Sequence, residues 1–116
     1  MQIPVARPLF KPPANLDSKL LFYTYANEKY HEFAILYPLF ALLSNKDSIV
    51  EICISAPDIF VSKYTHLIKY YVTTFPGRLL YSYICNTNIF PNSIRFLVKP
   101  VSRAEYIYIG DVDIIV

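Results

Sequence analysis

Tryptophan is absent from this 116-residue chain, glycine and cysteine occur twice each, and methionine once. Two glycines exclude a glycine-rich loop that cradles phosphates, and with nine prolines beside them they exclude a flexible glycine linker. Cys53 and Cys85 form no CxxC pair and no zinc spacing, and two cysteines build no disulfide framework. They read as buried free thiols of a reducing compartment. Charge is scarce as well. Charged residues make up 17% of the chain, and 11 Lys+Arg against 9 Asp+Glu leave a formal charge of only +2. No run of one sign is present, which excludes the clustered basic face of a nucleic-acid partner.

Long apolar runs are missing too. The longest strongly apolar stretch, Phe33 to Leu43, has 11 residues and contains Pro38. A spanning helix needs about 20. The uncharged stretch Leu79 to Ile94 reaches 16 residues but carries three asparagines and a proline. No continuous apolar segment follows Met1, so no signal peptide is expected. These absences predict a cytoplasmic protein, at most peripheral to a membrane surface. No nucleophile elbow and no Ser/His/Asp order is present.

What is there is a core. Apolar types reach 54%, mean hydropathy is +0.32, and 11 Tyr and 8 Phe carry the aromatic load. That is enough apolar surface to order one domain. Residues 1–18, with Pro4, Pro8, Pro12 and Pro13, read as an extended arm. Lys19 to Tyr25 reads as a strand, and Asn27 caps a helix that starts at Glu28. That helix carries an apolar stripe of Phe33, Leu36, Leu39, Phe40 and Leu43, and Pro38 is expected to kink or shorten it. Ser48 to Ile54 is a second strand. Pro57 opens a second helix with a stripe of Phe60, Tyr64, Leu67, Ile68 and Tyr71. Arg78 to Cys85 is a third strand, Ser93 to Lys99 fits either strand or helix, and Glu105 to Ile109 is a last strand.

The order βαβαβ…β predicts an α/β fold, with a mostly parallel sheet covered on both faces. The domain is expected to span 19–116. Ile114 to Val116 forms an apolar end with no residues after it to cover it. The chain is therefore expected to be the first part of a longer protein, or a domain completed by a partner.

Asp111-Val112-Asp113 carries the strongest chemical signal. Residues two apart on a strand face the same way, so both carboxylates share one face. A divalent cation removes their repulsion, and Mg²⁺ or Mn²⁺ takes carboxylate and phosphate oxygens together. Gly110 permits close backbone approach, and the carboxyl ends of parallel strands are where such sheets bind ligands. Tyr106 to Ile109 leads into the pair and further apolar residues follow, a poor setting for a merely solvated face. The alternative is a strand end with two exposed carboxylates.

Tyr106 to Val116 resembles the DxD segment of GT-A-fold glycosyltransferases, and the layout of residues 19–116 is similar to their nucleotide-sugar-binding part. The resemblance implies a Rossmann-like three-layer sandwich, incomplete at its C-terminus. It implies a metal-dependent transfer of a sugar from a nucleotide-sugar donor to a saccharide or lipid-linked acceptor. It places Asp111 and Asp113 on Mn²⁺ or Mg²⁺, with Asp113 the direct ligand and Asp111 on the ribose or a metal-bound water. The first strand's exit, Thr24, Tyr25, Ala26 and Asn27, would contact the nucleotide together with Asp111 and Val112. Ser93-Ile94-Arg95-Phe96-Leu97 is similar to an arginine-bearing segment before the DxD of some members, which puts Arg95 on the donor. The acceptor site and the catalytic base of such enzymes lie beyond the DxD.

Other candidates carry less. His31 and His66 lie on predicted helices without a partner at a recognisable spacing. Glu28 and Glu32 share a helical face, and Glu32 is expected to face water. Two further readings stand beside the transferase: a phosphohydrolase with Asp111 as nucleophile and Asp113 as acid/base, and a binding or assembly module without turnover. The Ile114-Ile115 that follows the pair does not suit the phosphohydrolase.

Overall fold

The computed structural model describes residues 5–10, 17–45, 47–84 and 98–110. They form an α/β unit with a five-stranded, mostly parallel sheet and two helices. In chain order these are β1 (Arg7–Pro8), β2 (Asp17–Ala26), a 3₁₀ turn (Glu28–Tyr30), α1 (His31–Ser44), β3 (Ser48–Ile54), α2 (Pro57–Thr74), β4 (Leu79–Tyr83) and β5 (Arg103–Ile109). Spatially the order is β1-β4-β3-β2-β5. β1 runs antiparallel to β4, and every other pairing is parallel. The stretch read as an arm thus supplies β1 and the first residues of β2.

Alternation along the strands explains the layering. Phe22, Ala26, Val50, Ile52, Ile54, Leu79 and Tyr81 point to one face and pack with Ala34, Tyr37, Leu42, Phe60 and Ile68 of the helices. Both helices lie on that face, as successive right-handed crossovers advancing in one direction require. Leu21, Tyr23, Ile49 and Cys53 point to the other face, where Ala6, Val98 and Val101 pack on them. Among the described residues no helix covers that second face, and the segments around Ala6 and Val98 to Val101 lie where a second helical layer was expected.

The helices correct three sequence expectations. α1 buries Ala34, Ile35, Tyr37, Pro38, Ala41 and Leu42, whereas Phe33, Leu36, Phe40 and Leu43 are exposed. The helix is apolar nearly all round, so either face satisfied the periodicity. The face with Ala34, Pro38 and Ala41 won because small side chains let the helix axis approach the sheet closely. Nor does Pro38 interrupt α1, which runs 14 residues through it. Proline cannot donate to the carbonyl four residues back. That carbonyl, of Ala34, accepts instead from the buried Tyr81 hydroxyl at 2.9 Å. The distortion lies in α2, where Tyr64 is non-helical (φ −120°, ψ 19°). Next to it, the Thr65 hydroxyl donates to the Val61 carbonyl, a back-bond that bends helices. Leu67, placed on the α2 stripe, is exposed.

Arg78 ties the amino end of the sheet. Its guanidinium donates to the carbonyls of Ser48 (3.1 Å), Leu42 (3.0 Å) and Asn45 (2.6 Å), which closes the carboxyl end of α1 onto β3 and β4.

Two stability measurements check this packing by chemical denaturation. Leu36→Gln should change stability by no more than about 0.5 kcal/mol, and Ala41→Leu should cost about 1–3 kcal/mol by overpacking. The reverse order would restore the sequence-based stripe. Tyr81→Phe should cost about 1 kcal/mol, and less in a Pro38→Ala background, where the helix regains its own donor to Ala34.

Candidate functional site

The strand order reverses direction about β2. The chain steps from β2 to β3 to β4, then returns to place β5 on the other side of β2. Ligands of open parallel sheets bind at the carboxyl ends of the two strands that flank such a reversal. Here those ends are Tyr23 to Asn27 and Ile109 to Gly110.

Local bonds hold this edge. The Asn27 side chain accepts from the Lys29 amide at 3.1 Å and caps the 3₁₀ turn, as its position before Glu28 predicts. The Ser55 amide donates to the Ala26 carbonyl at 3.0 Å, which joins the exit of β3 to that of β2. Buried His31 donates through Nε2 to the Ser55 carbonyl at 2.8 Å, and its ring meets Phe60 edge-on at 5.1 Å. That geometry is structural, and His66 is exposed on α2. Ala56, which follows, adopts the left-handed region (φ 47°), a conformation that costs a non-glycine residue about 1–2 kcal/mol. The bonds on either side of it, from Ser55 and from the Ile59 and Phe60 amides to the Ala56 carbonyl, hold it there.

The β2 exit residues divide. Thr24 and Ala26 are fully buried, whereas Tyr25 and Asn27 are half-buried and border the edge. Thr24 spends its hydroxyl on the Gly110 carbonyl at 2.7 Å. The Gly110 amide in turn approaches the Tyr23 carbonyl at 3.4 Å, extending the β2–β5 ladder by one residue. A Cβ on Gly110 would lie 2.8 Å from Cε1 of Tyr108, so the glycine allows a close approach there. Arg95, Asp111, Val112 and Asp113 lie outside the described residues. So do Cys85 and 93–97 of the ambiguous segment. Among the described residues no group of three His, Cys, Asp or Glu side chains is arranged for a metal ion. Cys53 is a buried free thiol, as expected, and burial pushes its pKa up to about 12.

A buried carboxyl went unnoticed in the sequence. Glu51 sits mid-strand in β3 with no exposed surface. Its Oε2 accepts from Ser82 Oγ (2.9 Å) and the Val101 amide (2.9 Å), and its Oε1 from the Ser102 amide (2.8 Å). Two of these donors belong to the segment just before β5, so Glu51 holds that segment against the sheet. Tyr23 and Cys53 are its neighbours on the same face. Burial raises the Glu51 pKa, opposed in part by these hydrogen bonds. The signal was available: Glu51 is the one charge in Ser48-Ile49-Val50-Glu51-Ile52-Cys53-Ile54, a strand read as buried on both faces.

A cleft of about 360 Å³ lies at the opposite end of the sheet, between Lys19, Leu20, Asn45, Asp47, Ser48 and Tyr106. It is remote from the strand ends that bind ligands in parallel sheets. Among the described residues no helix is long and apolar enough to cross a membrane. No family model, curated protein or solved structure matches the chain.

Glu51 sets a pH dependence. Its pKa is higher folded than unfolded, so the folded state binds the extra proton and stability falls as pH rises through the folded pKa. Wild type should therefore lose stability relative to Glu51→Gln as pH is raised above about 4.5, the ordinary carboxyl value. A difference independent of pH in urea denaturation would contradict the assignment. Glu51→Ala, which strands two backbone donors, should cost at least about 2 kcal/mol at every pH.

Proposed function

We propose that the chain is the donor-binding part of a metal-dependent glycosyltransferase, built on a Rossmann-like sheet. One observation carries the reading: at the strand reversal, β5 ends at Ile109, and Gly110 leads in sequence to Asp111-Val112-Asp113. The acid pair thereby follows the carboxyl end of the strand that neighbours Thr24 to Asn27.

The donor set suits a hard dication, since two carboxylates leave coordination positions for phosphate oxygens and water. Asp113 would hold Mn²⁺ or Mg²⁺ directly, with Asp111 on the ribose or a metal-bound water. Bound there, the cation supplies charge to offset that developing on the nucleoside diphosphate as it departs. Tyr25 and Asn27 border the position of the base and ribose, and Arg95 would add positive charge on the donor. The acceptor would be a saccharide or a lipid-linked molecule.

Calorimetry tests the reading. Uridine, guanosine, cytidine and adenosine diphosphates are titrated in turn, with Mn²⁺ and with chelator. Mn²⁺ should tighten at least one of them by about tenfold or more, and Asp113→Ala should erase that gain. Equal affinity with and without metal for all four would refute the proposal.

A further inference from the structure

Thr24 stands in the nucleotide-contacting stretch by resemblance, yet its surroundings give it a different task. It has no exposed surface, and its hydroxyl proton is committed to the Gly110 carbonyl at 2.7 Å. The two residues are 86 apart in sequence and face each other across the β2–β5 pairing, one step past the Tyr23–Ile109 register pair. A buried hydroxyl with its donor spent on backbone has nothing left to offer a ligand but an occluded lone pair. Its partner, however, is the last residue before the acid pair.

The remaining restraints on Gly110 are slight. Its amide bond to Tyr23 is long, at 3.4 Å. β5 itself buries little, since Tyr106, Ile107 and Tyr108 are all exposed. Glycine also has the widest backbone freedom of any residue, so an unclamped Gly110 would sample many directions for the chain that follows. We propose that Thr24 is a positioning residue. Its hydroxyl fixes the carbonyl of Gly110, the residue that precedes the acid pair in sequence, and so supports the metal-dependent binding proposed above. This rests on the function proposed above for the acid pair, but the clamp itself is readable without any ligand.

The test compares wild type, Thr24→Val and Thr24→Ser. Valine keeps the shape and removes the hydroxyl, and serine keeps the hydroxyl. Nucleoside diphosphate affinity is measured with Mn²⁺ and with chelator, and amide hydrogen exchange is followed at Gly110 and Asp111. Thr24→Val should lose about tenfold of the metal-dependent gain and keep its metal-free affinity within about twofold, with Thr24→Ser close to wild type. Its exchange should quicken at Gly110 and Asp111, with no change at Leu21 to Tyr23. If the valine variant does not fold, Thr24→Ala against Thr24→Ser supplies the same contrast, because these differ only in the hydroxyl. A full metal-dependent gain without the hydroxyl overturns the proposal. Should wild type itself show no metal-dependent binding, the transferase reading falls, and exchange alone decides on the clamp. Acceleration confined to Gly110 and Asp111 sustains it. Unchanged exchange, or acceleration throughout β5, overturns it.

Discussion

The parallel pairing of β2 with β5 is the contact on which the rest of this structure depends. It brings together two segments far apart in sequence, and it does so with little apolar help from β5, whose Tyr106, Ile107 and Tyr108 remain exposed. The ladder is secured by polar side chains at both ends. Before β5, the Glu51 carboxyl holds the amides of Val101 and Ser102. After it, the Thr24 hydroxyl holds the Gly110 carbonyl. Exposed Arg103 and Asp17 add an ion pair at 2.7 Å, a surface contact worth less than about 1 kcal/mol.

Placing a carboxyl inside a sheet is expensive, but an apolar residue at position 51 would leave the Val101 and Ser102 amides without their acceptor. What the carboxyl adds is a requirement of register. Its two oxygens accept three donors from β4 and from the segment before β5, and one residue of slippage would turn each strand's side chains to the opposite face. An apolar contact tolerates such a slip far better than three directed bonds do. The same reasoning covers Ala34, whose carbonyl, released by Pro38, is reclaimed by the Tyr81 hydroxyl across the helix–sheet interface. In both cases a polar group that would be a liability alone becomes a position marker once paired.

Much of this frame was legible in the residues. β-branched and aromatic runs located β2, β3, β4 and β5. Pro57 announced the start of α2, whereas Asn27 caps the 3₁₀ turn Glu28–Tyr30 and α1 begins only at His31. The element order alone pointed to a mostly parallel α/β sheet. The orientation of α1 was not legible, because a helix apolar on all sides presents two acceptable stripes, and only the tertiary fit of Ala34, Pro38 and Ala41 chooses between them. The continuity of α1 through Pro38 depended on Tyr81, 43 positions further along the sequence, which no local rule supplies. Glu51 was visible as an odd charge, but its partners come from β4 and from residues 50 and 51 positions later. At the proposed site, the resemblance selected 24–27 as one contact surface. Burial separates Thr24 and Ala26, which face inward, from Tyr25 and Asn27, which border the edge. Arg95 and the Asp111–Asp113 pair lie outside the described residues and rest on sequence.

Paramagnetic broadening by Mn²⁺ locates the cation most directly. With a nucleoside diphosphate present, substoichiometric Mn²⁺ should broaden the amide signals of Tyr25 to Asn27 and of Ile109 and Gly110 first. Lys19, Leu20 and Ser48, at the far end of the same sheet, should stay sharp. Broadening that begins around Asp17 or Asp47, or that spreads evenly over the exposed acids, would contradict a cation held at the carboxyl ends of β2 and β5.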